Sequence, residues 1–353
     1  MLAVVDIAKR DGRFASATGA AAATVRQANM IAQSGFKNSF AILDGEGVFA
    51  RLDGNAVGHV YTYAMWRILI IGPGDVALRL VPQLTKKFRV YALVRSVASA
   101  ANLRALNVAP IIGDLDDRAS LKRIGGIADM VLHFAPPPNS GAIDSRTKNL
   151  IAALNSRGSV PRRLVYISTS GVYGDCGGAW VNETRPVQPM SPRGTRRVDA
   201  EERLRDWART SNVRLSILRA PGIYGDGRLP VARLRARTPV LAAADDVFTN
   251  HIHADDLADI ALIALFRARN NRVYNASDNS EMKMADYFDL VADLLELARP
   301  PRVSRADAQA QLPKELLSFM GESRRLRNLR LINELKVRLR YPMVRDGIIV
   351  TKK

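Results

Sequence analysis

From Trp66 onward the chain alternates short, wholly apolar runs with segments whose apolar residues recur at helical spacing. Arg67–Ile71 reads as a strand, and residues 75–86 then place Val76, Leu78, Leu80, Val81 and Leu84 on one helical face. The strand signature returns at Arg89–Val94, Val108–Ile112, Met130–Phe134, Arg163–Ser168 and Arg214–Leu218, with helices predicted around 142–155 and 198–210. Strands that are apolar on both faces and separated by helices predict a parallel sheet covered on each side. The expected fold class is therefore α/β, doubly wound, with a smaller C-terminal lobe.

Residues 1–64 break this pattern. They are rich in Ala and Gly, include the tract Ala20–Ala23, and offer only short apolar runs such as Phe40–Leu43. Asp6 and Asp11 argue against a transit peptide, and no signal-peptide core is visible. Met65 directly before the first strand reads as a fresh start, with 1–64 a weakly structured extension attributable to start-site choice. A small packed helix–hairpin cap is the alternative. The expected plan is this extension, a nucleotide-binding domain over 65–222 with segments returning at 254–278, and a substrate lobe built from 223–253 and 279–345.

Composition changes this picture little. Apolar residues make up 47% and charged residues 24% of 353, which is globular rather than disordered or fibrous. No run of roughly 18 apolar residues appears, so no membrane-spanning helix is expected. The single cysteine, Cys176, excludes intrachain disulfides and cysteine-based zinc sites, and points to a reducing cytoplasm. The net charge of +18 raises the question of nucleic acid. The arginines are dispersed, denser at 193–206 and 324–345, and alternate with apolar residues as solvated helix faces do. Nucleic acid is therefore not the expected partner; a small anionic molecule is.

Chemistry concentrates where the first strand meets its helix. Gly72-Pro73-Gly74-Asp75-Val76-Ala77 is a G-x-G-x-x-A turn. Gly72 permits the tight exit, Gly74 lets the backbone approach a pyrophosphate, and small Ala77 lets helix and strand pack closely. The free amides of the helix N-terminus then face the phosphates. Strand before, helix after and a βαβ unit around it mark this as a Rossmann dinucleotide site. The second strand ends in Arg95-Ser96 with no carboxylate, which favours NADP over NAD, the alternative. Asp114 and Leu115 after the third strand and Ala135 and Pro136 after the fourth lie at the same carboxyl ends, where cofactor is expected.

Together with the turn, Gly113-Asp114-Leu115, the segments Tyr166-Ile-Ser-Thr-Ser-Gly-Val-Tyr-Gly174 and Leu218-Arg-Ala-Pro-Gly-Ile-Tyr-Gly225 resemble the extended short-chain dehydrogenase/reductases. More narrowly they resemble the NAD-dependent epimerase/dehydratase group that acts on nucleotide sugars. His251-Ile-His-Ala-Asp-Asp256 and Tyr274-Asn-Ala-Ser277 match later segments, so the likeness runs from 66 to about 345. It implies NAD(P)-dependent oxidoreductase or epimerase chemistry, a nucleotide sugar or related anionic substrate, and a homodimer as a candidate assembly. The turn departs from the family's usual G-x-x-G-x-x-G, because Ile71 falls on its first position.

A larger departure lies in the catalytic helix. Family enzymes carry a Tyr-x-x-x-Lys pair on one helical face, the Tyr as general acid/base and the Lys on the nicotinamide ribose. Aligning Pro192–Glu201 with that motif puts Arg193 on the Tyr and Arg197 on the Lys, with Thr169 at the Ser/Thr position. A guanidinium does not shuttle protons near neutrality. Three readings stay open. Tyr173 or Tyr224 supplies the proton, with Thr169 orienting the substrate and Arg197 on the ribose or a phosphate; or the protein binds NADP silently, as a regulator or sensor; or Arg193 and Arg197 bind an anionic group, a reading compatible with either. Arg219 and Arg228, near the strand ends, are candidate contacts to a substrate diphosphate, with Tyr224 in the substrate wall. His133 reads as a core histidine and Cys176 has no base beside it. His251, His253, Asp255 and Asp256 read as a strand end with an Asp cap, so no metal is expected.

Overall fold

The computed structural model describes residues 65–351, together with strand segments 3–7, 9–10, 13–14, 41–43, 48–52 and 58–62. The chain divides between Trp66 and Arg67 into two units. In the first, Ala3–Ile7, Gly58–Thr62, Val48–Leu52 and Ala41–Leu43 pair in that order as an antiparallel sheet. Most other residues of the expected extension, including Ala20–Ala23, fall outside the described residues.

The second unit is built on seven parallel strands: β1 Arg67–Ile71, β2 Arg89–Val94, β3 Ala109–Ile112, β4 Met130–His133, β5 Arg163–Thr169, β6 Arg214–Ala220 and β7 Arg272–Asn275. Their order is β7-β6-β5-β4-β1-β2-β3. Helices α1 Asp75–Leu84, α2 Val97–Ala105, α3 Ser145–Leu154, α4 Pro192–Ser211 and α5 Ala254–Arg267 cover the faces. Because side chains alternate along a strand, Ile68 and Ile70 of β1 pack with α1, α2 and α5, while Leu69 and Ile71 pack with α3 and α4. The chain reverses its direction of winding between β1 and β4, which opens a crevice at their carboxyl ends.

Helix α4 starts six residues before the predicted position. Its first six residues, Pro192–Arg197, carry no apolar side chain other than the proline ring, so periodicity begins only at Val198. The start signals are Ser191, whose hydroxyl accepts from the Gly194 amide at 3.2 Å, and Pro192 at the first helical position. A further core gathers Tyr224, Leu234 and Val240 with Val344, Ile348 and residues of α6, Met284–Leu294. Among the described residues no helix is long and apolar enough to cross a membrane.

Candidate functional site

The glycine turn has two different steric demands. Gly72 has φ +79°, and a Cβ there would sit 2.6 Å from the Ala135 amide nitrogen, so only glycine fits beside the end of β4. Gly74 caps α1 in extended conformation, and nothing lies within 4 Å of the place a Cβ would occupy. That open space stands directly before the free amides of α1, where a diphosphate is stabilised by the helix terminus. Val76 and Ala77 are buried and hold α1 on the sheet.

A groove of about 1010 Å³ runs from this turn past Arg95, Ser96 and Ser99 to Asp114, Leu115, Ala135 and Pro136. Ser96 caps α2 by accepting from the Ser99 amide at 3.2 Å, which leaves Arg95 exposed at the strand end. Asp114 accepts from the Asp116 amide, and the Leu115 carbonyl from Asn149. Of the cofactor-binding positions predicted from sequence, Gly72, Gly74, Arg95, Asp114, Leu115, Ala135 and Pro136 line this groove, and Asp75, Val76, Ala77 and Arg197 line a second cavity. These residues fit a dinucleotide: the turn and α1 would hold its diphosphate, and the groove its adenosine.

The second cavity, about 260 Å³, lies on the other side of the turn. Gly72, Gly74, Asp75, Val76, Ala77, Thr169, Arg193, Arg197 and Arg228 all line it, with Ser168 and Phe134. Asp75 places a carboxylate in the first turn of α1. Burial pushes its pKa up, but hydrogen bonds from Arg228 at 2.6 Å and Arg79 at 3.0 Å outweigh this and hold it below the usual range. Thr169 accepts from the Gly171 amide at 3.2 Å, capping the turn Ser170–Tyr173.

Arg193 and Arg197 face the cavity from α4, one helical turn apart. The Arg193 guanidinium lies 4.2 Å from the centroid of the Phe319 ring and has no hydrogen-bond partner among the described residues. Burial lowers its pKa, while Glu322 nearby opposes that shift. Arg197 donates through Nη1 to the Ile167 carbonyl at 2.7 Å and to the Tyr166 hydroxyl at 2.9 Å. Tyr166 is wholly buried and its pKa is pushed up to about 12, so it keeps its proton near neutrality.

Three of the predicted site residues require correction. Tyr173 is buried outside the cavity lining, donates to Asn275 Oδ1 at 2.8 Å, and carries Arg219 stacked 4.7 Å from its ring. Arg219 turns inward to a two-pronged ion pair with Glu201 at 2.7 and 3.1 Å, both side chains buried. Tyr224 belongs to the further core, edge-on to His251 and His253, with its hydroxyl on the Met343 carbonyl. In each case the side chain is committed to packing within the protein. The cap of α5 also differs: His253 itself accepts from the Asp255 amide.

Other residues fill structural roles. His133 is buried against Thr147, and burial takes its pKa down to about 3. Burial raises the Cys176 thiol. Among the described residues no three His, Cys, Asp or Glu side chains converge as a metal site would require. Sequence reading missed the Ser168 hydroxyl, which lines the cavity and donates to Glu201 at 2.6 Å. It also missed Phe319, which lies outside every motif used above. Glu201 was visible only as the last letter of the aligned catalytic motif.

Residues 72–268 match a protein family described as NAD(P)H-binding. A putative UDP-glucose 4-epimerase of Methanocaldococcus jannaschii is 22% identical over 199 residues, which is 50% of this chain and 63% of that protein. A solved structure from Silicibacter pomeroyi, of a functionally unknown conserved protein, superposes with a TM-score of 0.69 at 29% identity, over 81% of this chain and 98% of the other. A dTDP-glucose 4,6-dehydratase from Bacillus anthracis in complex with NAD has a TM-score of 0.65 at 17% identity, covering 81% and 95%. The sheet order, the turn before α1 and a match over more than half the chain agree: this chain belongs to the NAD(P)H-binding family, with epimerases and dehydratases of the extended short-chain dehydrogenase/reductase type as its relatives.

Proposed function

We propose that the protein binds NADP(H), with NAD(H) as the weaker alternative, and takes an anionic ligand in the adjoining cavity without tyrosine-driven turnover. One observation carries this reading: Arg193, which the motif alignment sets against the family's proton-shuttling tyrosine, lines the cavity and is held over Phe319 with its hydrogen-bonding fork unused by the described residues. A guanidinium fork suits the paired oxygens of a phosphate or carboxylate and carries its charge throughout the neutral range. Arg197 spends only Nη1 on Ile167 and Tyr166, so its remaining donors serve the same anion or the cofactor ribose. Arg228, now paired with Asp75, adds a third cation to the wall. The bound nicotinamide would carry hydride. The role of these side chains is to orient an anion beside it, as expected of a cofactor-responsive regulator or sensor in a reducing cytoplasm.

A second reading rests on Ser168. Its hydroxyl donates to Glu201 at 2.6 Å and keeps lone pairs for a ligand hydroxyl, next to Thr169 on the cavity wall. That arrangement supports epimerase, dehydratase or reductase chemistry on a nucleotide-linked or phosphorylated sugar, as in the named relatives. The two readings separate in one experiment. NADPH and NADH are titrated by nucleotide fluorescence, and cofactor oxidation and product formation are then followed across a panel of sugar nucleotides. Nucleotide binding without turnover, kept in Arg193→Ala, supports the first. Turnover that survives Arg193→Ala and disappears in Ser168→Ala replaces it with the second.

A further inference from the structure

Five of the seven strands of the central sheet begin with arginine: Arg67, Arg89, Arg163, Arg214 and Arg272. In a parallel sheet all strand starts share one edge, opposite the cofactor crevice. The register sets Arg67 beside Arg89 and Arg163 beside Arg214. At about 4.8 Å per strand, the row from β7 to β2 spans roughly 24 Å. The covering helices run antiparallel to the strands, so the residues at and after their C-termini join this edge: Lys86 and Lys87 after α1, Arg157 after α3, and Arg269 after α5.

Folding gains nothing obvious from this row. Like charges on neighbouring strands repel; beyond the effect of burial, Arg214 further lowers the pKa of Arg163. Cations near helix C-termini complement the helix dipole, which accounts for Arg163 donating to the Leu265 and Phe266 carbonyls of α5. Arg67 is neutralised by Asp129, and Arg272 pairs with Glu334. Lys86, Lys87, Arg89, Arg157, Arg214 and Arg269 are all exposed and form no ion pair among the described residues. Aromatic rings lie among them. Phe88 and Phe266 stack at 5.5 Å, Phe266 is 39% exposed beneath Arg163, and Arg89 lies 5.6 Å from the Tyr91 ring.

We propose that this edge is a nucleic-acid-binding surface that holds a phosphodiester backbone, independently of base sequence, on the face away from the dinucleotide. Arginine forks match phosphate oxygens, and rings beside them offer stacking to bases. An anionic membrane is the poorer match. Surface-bound membrane helices lie flat and sink an apolar face, whereas this edge is made of strand starts and helix ends. The dispersal of these cations along the chain is what concealed them: they are brought together only by parallel strand order.

The test is fluorescence anisotropy of the full chain with a labelled mixed-sequence oligonucleotide, single-stranded and duplex, over a salt series. Six phosphate contacts predict a slope of log affinity on log salt of about −5 for duplex, or roughly 10³-fold weaker binding between ~50 and ~200 mM salt. Arg89→Glu/Arg214→Glu/Arg269→Glu reduces the slope to about −3, with thermal unfolding as the check on folding. Lys86→Gln/Lys87→Gln/Arg157→Gln, a milder set, repeats the loss should the first variant unfold. Absence of salt-sensitive binding, or binding unchanged in a folded edge variant, overturns the proposal. So does tight sedimentation with phosphatidylserine vesicles when the oligonucleotide does not bind.

Discussion

Replacing Glu201 by Gln tests the corrected role of Arg219. The Glu201 and Arg219 side chains are 4% and 5% exposed, joined by two hydrogen bonds, and Glu201 also accepts from Ser168. Although burial lowers the Arg219 pKa, the bonds to Glu201 outweigh it, so the guanidinium stays charged. Glu201→Gln keeps the shape and leaves that charge without a counter-ion. Breaking one partner of a buried pair costs about 3–5 kcal/mol. For a unit of this size that lowers Tm by roughly 6–10 °C. Circular dichroism melts, repeated by denaturant titration with a second probe, measure the loss. The double replacement Glu201→Leu/Arg219→Met removes both charges and recovers most of the stability, because apolar isosteres of a buried pair are often neutral. A Tm within ~2 °C of wild type for Glu201→Gln would refute the reasoning. A folded Arg219→Met that lost only ligand affinity would return Arg219 to the ligand.

Three further outcomes follow from the same geometry. Gly74→Ala leaves Tm unchanged and weakens NADPH binding at least ~10-fold, because its Cβ enters only the space proposed for the diphosphate; Gly72→Ala instead unfolds the unit at lower temperature, having a backbone neighbour at 2.6 Å. Calorimetry and melts on both variants separate the two effects. Arg95→Ala weakens NADPH about tenfold in a fluorescence titration and leaves NADH unchanged; equal loss for both nucleotides would remove the basis for preferring NADP. Burial raises the Asp278 carboxyl from 3.8 to about 8, against an opposing bond from the Ser280 amide. Between those values the unfolded chain ionises while the folded one keeps its proton, so this group lowers stability as pH rises, by up to about 1.4 kcal/mol per unit. Asp278→Asn therefore becomes progressively more stable than wild type from pH ~4 to ~8, and parallel pH profiles would contradict the assignment.

The sequence by itself determined the doubly wound sheet, because each parallel strand buried on both faces needs a continuous apolar run, and such runs are visible one at a time. The dinucleotide turn was legible for the same reason: strand, Gly72, Gly74 and helix start are consecutive, so their geometry is local. Arg193 and Arg197 were likewise placed on one helical face by spacing alone. What a side chain does once it reaches the strand ends is a different matter. Tyr173, Arg219 and Tyr224 occupy segments expected beside a ligand, yet their partners Asn275, Glu201 and Met343 come from distant parts of the chain. Only the tertiary structure decided between cavity and core for them, since long-range packing, not spacing, sets that direction. It also decided the seat of Arg193 on Phe319, more than a hundred residues away, and gathered five scattered arginines along one edge, because sheet order is a property of the whole fold.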